Sequence, residues 1–268
     1  MKRPGTRRLA APAAQLGVLI IVIAAWQLAT GAGTNPYFLS PSAIVSFMYH
    51  QWFDGPASHL WLTSDATGNL LPSVGRMLAG LVIASLIGVG LGVAIGRVRV
   101  LAELTEPLVH FGRAIPPPVV VPFFLFLFKI GTPMEVASIA FGVVWPVLVN
   151  TIDGARHMHP GQLETARAFR IGPVQRLVRI ILPAAAPKIF AGLRLGLALA
   201  LILMIVSEFQ GATNGIGYEV DTAQTTLDMS VVWGALVLLG VLGVVLNAIF
   251  AVAERRALAW QRGSARTE

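Results

Sequence analysis

A chain of 268 residues that is 55% hydrophobic and only 12% charged carries about half the ~25% charged residues of a typical soluble domain. Its apolar residues fall in long runs and its mean hydropathy is +0.72, which excludes a disordered chain and argues against a soluble globular enzyme. Cysteine is absent and the formal net charge is +7, so disulfides, thiolate metal sites and a cysteine nucleophile are excluded.

A bilayer-crossing helix needs roughly 20 largely apolar residues, and six stretches qualify in chain order. The first runs from Gln15 to Thr30 behind the basic start KRPGTRR. It also has the layout of a cleavable signal peptide, which charge counting does not exclude, but Trp26 near its end suits an interfacial depth and an uncleaved helix is expected. Ser40-Pro41 then opens an outer amphipathic helix with a serine cap and a first-turn proline. The second span covers Leu70 to Ile95 and holds Gly80, Ala84, Gly88, Gly92 and Gly96, each four apart, the spacing that lets helix backbones approach closely in lipid. The third, Thr105 to Phe128, contains prolines at 116, 117, 118 and 122 and cannot be a straight helix. Broken backbone at membrane depth survives only where it is buried in protein or lines a cavity, so Pro118, Val119 and Phe124 are candidates to border a path. The fourth span is Glu135 to Thr151, the fifth Ile189 to Phe209 and the sixth Ser230 to Ala253. Between the fourth and fifth, GQLETARAFRIGPVQRLVRIILP predicts two short helices, near Pro160–Phe169 and Val174–Ile181, broken at Gly172-Pro173 and again at Leu182-Pro183.

Lys and Arg locate the cytoplasmic side. With the N-terminus inside, 17 of the 20 basic residues fall in inner segments; Arg76 and Lys129 fall near the outer face and Arg113 within the third span. The surplus is therefore topological, and no basic-aromatic module for nucleic acid is present. The expected organisation is an inner tail 1–13, a helix 14–32, an outer segment 33–69, a transmembrane domain 70–254 with helices near 70–96, 105–128, 135–151, 189–209 and 230–253 around a cytoplasmic loop 152–188, and an inner tail 255–268. Glu208 is the clearest ionisable group inside a span, a position that usually marks function. There is no Asp-Glu-His chain for a proton relay, no zinc or serine-hydrolase motif and no phosphate-binding P-loop. No catalytic residue, metal or cofactor is expected in this chain, and an ATPase, if one is used, lies on another polypeptide.

The loop carries a resemblance. Glu164-Thr165-Ala166 followed by Ile180-Ile181-Leu182-Pro183 resembles the EAA signature of integral-membrane permeases of bacterial ATP-binding-cassette importers. Gly192-Leu193-Arg194, Glu208, Gly215-Ile216-Gly217-Tyr218 and Glu254-Arg255-Arg256 with Trp260 are similar to its nitrate/sulfonate/taurine branch. The resemblance implies an all-α bundle of type I importer architecture in the bacterial inner membrane, with two permease copies (a homodimer), cytoplasmic ATP-binding subunits and an extracytoplasmic solute-binding protein. It assigns Glu164, Thr165, Ala166, Arg167, Arg170, Gly172, Pro173, Leu182 and Pro183 to the loop that couples to the ATPase. Arg170 stands where the family pattern has glycine, which removes the easy left-handed conformation and makes Gly172-Pro173 the alternative seat for the turn. The rival readings are a secondary transporter or channel uncoupled from any ATPase, and an intramembrane enzyme.

Overall fold

The computed structural model describes residues 7–31, 37–158 and 160–260. Lys2, Arg3, His159, Arg262 and Arg266 lie outside the described residues, as do the side chains of Arg7, Arg8 and Arg167. The described elements are all helical: α1 Arg7–Thr30, α2 Pro41–Met48, α3 Leu71–Arg97, α4 Arg99–Ala114, α5 Pro117–Phe128, α6 Thr132–Arg156, α7 Pro160–Ala168, α8 Pro173–Arg176, α9 Leu182–Gly211, α10 Ile216–Thr226 and α11 Met229–Ala257. By length and apolar composition, the helices that include α3, α6, α9 and α11 can each cross a bilayer, and α4 with α5 make a fifth candidate broken by 94°. In α1 the apolar stretch Ala14–Thr30 is shorter. The chain divides into two compact units, residues 1–67 with 219–238, and residues 68–218 with 239–268.

In the first unit the Ser40 side chain caps α2 and a proline occupies its first turn, as the Ser40-Pro41 pair predicts. Gln27 fastens α1 to that cap, accepting from the Ser42 amide at 3.0 Å and donating to the Ser42 hydroxyl at 3.1 Å. Trp233 packs on Trp26 and Phe38, and its indole N–H donates to the Tyr37 carbonyl at 2.9 Å. Ile44 and Trp52 form the buried side of this unit.

The second unit is built around α6. The small-residue stripe of α3 meets it in step: a side chain added at Gly80 would strike Ile139, at Gly88 Val147, at Gly92 Thr151 and at Gly96 Ala155. The stripe is therefore spent on packing within the chain. Because the partners advance together, α3 and α6 run in the same direction. Arg76 joins Thr132 at one end of the pair, and Arg97 donates to the Ala155 carbonyl at the other. The intervening residues 98–131 must travel the full length of the pair, so α4 and α5 together form a return traverse. Helix α9 packs against α6 in the opposite sense, Gly196 near Val143, Gly192 near Asn150 and Ala185 near Gly154. Helix α11 runs antiparallel to α9: Phe190 packs on Phe250 at one level and Leu201 lies beside Gly243 at another, and Arg194 reaches along the pair to Glu254.

Two local expectations are corrected. The helix does not break at Leu182-Pro183; Pro173–Gly211 is one helical run of 39 residues. A π-helical turn at Leu177–Ile181 widens the backbone just ahead of Pro183, so its ring avoids the carbonyl that an unbroken α-helix would place against it. The turn after α7 is not displaced to Gly172 either. Arg170 itself takes the left-handed conformation, φ 51°, and Gly172 is extended at the start of α8.

Candidate functional site

Three places in the second unit concentrate polar chemistry: the α7–α8 loop, the break between α4 and α5, and a buried ion cluster near the start of α3. In the loop, the Ile171 amide donates back to the Ala166 carbonyl at 2.9 Å, the six-to-one bond that closes a helix around a left-handed residue. The short helix is thereby ended sharply at Arg170. Glu164, Thr165 and Arg170 are exposed, while Ala166 is buried within this chain. Thr165 donates to the Gly161 carbonyl at 2.7 Å. Phe169 is 77% exposed and Val174 is 73% exposed, a pair of bare apolar side chains flanking the turn. Sequence reasoning passed over Phe169, although an aromatic residue next to a polar turn was a usable signal. Gly172 and Pro173 lie on the exposed side of the turn, and Leu182 and Pro183 are half-buried. Thr165, Arg179, Pro183 and Trp260 line one groove of about 520 Å³, which brings together residues that sequence motifs nearly a hundred positions apart had singled out.

At the break, Ile115 and Pro116 are extended and α5 begins on Pro117. Pro118 and Val119 are exposed. Phe124 is half-buried and sits in an aromatic row with Phe123, Phe128 and Phe141. A cavity of about 360 Å³ opens beside the break, lined by Arg113, Ile115, Pro117, Trp145, Asn150, Leu199 and their neighbours.

The ion cluster is the densest polar network described. Arg76 is 8% exposed, Glu208 2% and Glu135 1%. Arg76 Nη1 donates to Glu208 Oε1 at 3.2 Å and to the Asn214 carbonyl at 3.0 Å, while Nη2 donates to Asn214 Oδ1 at 2.5 Å. Glu135 Oε2 lies 2.6 Å from Arg76 Nε, a charge contact without hydrogen-bond alignment, since Nε donates to Thr132 Oγ1 at 3.2 Å. Glu208 also accepts from Ser73 Oγ at 2.6 Å and from the Gly217 amide at 2.8 Å. The last of these puts the carboxylate at the N-terminus of α10, where exposed amides and the helix dipole favour an anion. Gly215, at φ 126°, passes so close that an added Cβ would lie 2.5 Å from the Glu208 carboxyl carbon. The cluster ties α3, α6, α9 and α10 at one end of the unit. Glu208 is thus enclosed by its own chain, and Pro118, Val119 and Phe124 are not among its hydrogen-bond or ion-pair partners.

Residues 84–258 match the family described as binding-protein-dependent transport system inner membrane component. This chain belongs to that family. It is 28% identical over 266 residues to the putative aliphatic sulfonates transport permease protein SsuC of Bacillus subtilis, covering 97% of this chain and 91% of that one. It is 27% identical over 248 residues to the nitrate import permease protein NrtB of Synechocystis sp., covering 91% and 87%. Among solved structures, the MetNI methionine ABC transporter in inward-facing conformations superposes with a TM-score of 0.61 at 18% identity, over 71% of this chain and 93% of the other; that likeness carries the fold. The protein is an ABC-transporter permease with membrane-spanning helices, and the secondary-transporter, channel and intramembrane-enzyme readings give way to it.

Proposed function

We propose that this permease forms half of the translocation path of an importer for a small anion of the sulfonate or nitrate kind. In this reading a second copy completes the path, an extracytoplasmic binding protein delivers the solute, and separate cytoplasmic subunits hydrolyse ATP. Both chain termini and the α7–α8 loop lie in the cytoplasm, and the six sequence-predicted spans include α1 and the broken α4–α5 pair. The path runs along α5 past Pro118, Val119 and Phe124, with Glu208 fixing the end of the helices that flank it. The observation that carries the coupling role is the α7 turn: a sharply closed short helix, Glu164 and Arg170 exposed, with Phe169 and Val174 bare beside them. An exposed aromatic on a rigid turn is the form that interface anchors take, and such anchors carry about 2 kcal/mol or more each.

The test is co-purification with a candidate partner ATP-binding subunit, and solute-stimulated ATP hydrolysis in the reconstituted complex. Phe169→Ala and Glu164→Ala should each weaken association or abolish stimulation. Ala166→Trp is a poorer probe, because Ala166 is already packed inside this chain. Wild-type association and stimulation in both exposed-site variants would remove the loop from the interface.

A further inference from the structure

The cavity at the α4–α5 break has a chemistry of its own. Arg113, Asn150 and Trp145 are its polar lining residues, and the rest of its wall is apolar side chains and backbone from α5, α6 and α9. Among the described residues no carboxylate lines it. Asn150 spends one amide N–H on the Pro146 carbonyl at 2.8 Å, which leaves the other, and the indole N–H of Trp145 has no acceptor among the described residues. Arg113 is exposed and is drawn into no hydrogen bond or ion pair described for the chain. It also borders a smaller cavity of about 100 Å³ with Glu106, His110 and Arg156, where Glu106 is paired with His110 at 3.8 Å.

Depth makes the unpaired guanidinium informative. Trp145 and Asn150 stand roughly 9–17 Å along α6 from its end at Arg156, at 1.5 Å per residue. Both lie well inside a 25-residue spanning helix. The cavity that Arg113 lines reaches that depth, and a cation bordering such a space is costly unless it faces water or a partner of opposite charge. The α5 N-terminus does not compete for that partner, because Pro117 and Pro118 have no amide hydrogen to offer. At about 360 Å³ the cavity sits at the lower end of the ~300–1,000 Å³ range of small-molecule sites.

We infer that Arg113, with Asn150, forms an intramembrane subsite for a compact oxyanion at the α4–α5 break. This deepens the importer reading by assigning the anion a resting place in this chain. The guanidinium fork offers two parallel N–H donors to two oxygens of one planar or tetrahedral head. The apolar wall accepts whatever short alkyl group the anion carries.

The chain is free of cysteine, which permits a test that needs no knowledge of the natural solute. Leu195→Cys and Leu199→Cys each place a thiol on the cavity wall. In membrane vesicles containing the full chain, modification rates are compared for sulfonatoethyl methanethiosulfonate, itself a small sulfonate, and its trimethylammonium counterpart. Thr222→Cys, far along the sequence, serves as the reference thiol. The anionic reagent should be favoured at the cavity, and Arg113→Gln should lower that preference about tenfold, within the range by which charged clefts raise local ion concentration. Arg113→Lys should retain most of the preference. Millimolar nitrate should slow the anionic reagent in the Arg113 chain and leave it unaffected in Arg113→Gln. An anion preference unchanged by Arg113→Gln, or inert thiols at both positions, overturns the subsite even if the ATPase assembles normally. Failed assembly with the preference intact overturns the importer reading and leaves the anion subsite standing.

Discussion

Without Arg76, the carboxylates of Glu135 and Glu208 would face each other in a space nearly closed to water, both at 2% exposure or less. Removing one partner of a buried ion pair typically costs about 3–5 kcal/mol, so Arg76→Met should lower the thermal unfolding temperature of the detergent-solubilised protein sharply. Arg76→Lys should rescue only part, because an ammonium cannot reproduce the fork that reaches Glu208, Thr132 and Asn214 together. Gly215 belongs to the same arrangement. An alanine there meets both a left-sided φ of 126° and the Glu208 carboxyl, and a strained backbone of that kind costs of order 1–3 kcal/mol. Gly215→Ala should therefore fall in the same unstable class. Arg170 makes the opposite prediction. Left-handed backbone costs a non-glycine residue roughly 1–2 kcal/mol, and glycine returns part of that through its freer unfolded chain, about 0.4–1 kcal/mol. Arg170→Gly should stabilise the α7 turn by about 0.5–1 kcal/mol, read as slower hydrogen exchange of the Ile171 amide that closes it.

Helices α3, α6 and α9 owe their contact to residues that are missing side chains where the backbones meet. Gly88 would place a Cβ 2.9 Å from Val147, whereas Gly90, two positions on, has nothing within 4 Å. Gly88→Leu should destabilise by about 1–3 kcal/mol through overpacking, while Gly90→Leu should change stability by no more than about 0.5 kcal/mol; thermal unfolding of the two variants side by side checks this. The stripe at Gly80 to Gly96 was legible in the sequence because spacing of four is a property of one helix read alone. The partner helix was not, since nothing in a single sequence states that α3 and α6 run the same way. The kink after Ala114 was equally legible from its prolines, but the continuity through Pro183 was not, because a π turn has no residue signature. From the sequence, Arg76 falls near the outer face and Glu135 opens the fourth span, and nothing in the pattern joins them. The pairing of Arg76 with both Glu135 and Glu208 depends on three helix ends, distant in sequence, arriving at one level. The hint available was that Arg76, Glu135 and Glu208 all fall toward the same predicted end of their spans.

As a whole the chain leaves large apolar surfaces bare: Phe126 is 89% exposed, Val244 72% and Leu86 71%. In water such surfaces would drive aggregation; in a bilayer they are ordinary, since lipid is as apolar as leucine and helices associate by close packing instead. Packing fixes relative directions only: α3, α6 and α11 run one way, α9 and the α4–α5 traverse the other. It follows that the α3–α4 junction near Arg99 and the α7 turn at Arg170 share an end of the second unit, the end where Arg97 reaches Ala155. Which side of the membrane that end faces is decided by charge. The segments at it hold most of the basic residues, and because Lys and Arg are costly to translocate we propose that this end faces the cytoplasm. Reporter fusions active only inside or only outside, placed after Thr63, Arg99, Arg170 and Thr222, give a direct reading. Inside signal is expected at Arg99 and Arg170, and outside signal at Thr63 and Thr222. Opposite sides for Arg99 and Arg170 would contradict the parallel packing of α3 and α6 itself. Outside signal at both would keep the packing but invert the molecule, and would leave the α7 turn with no access to a cytoplasmic ATPase.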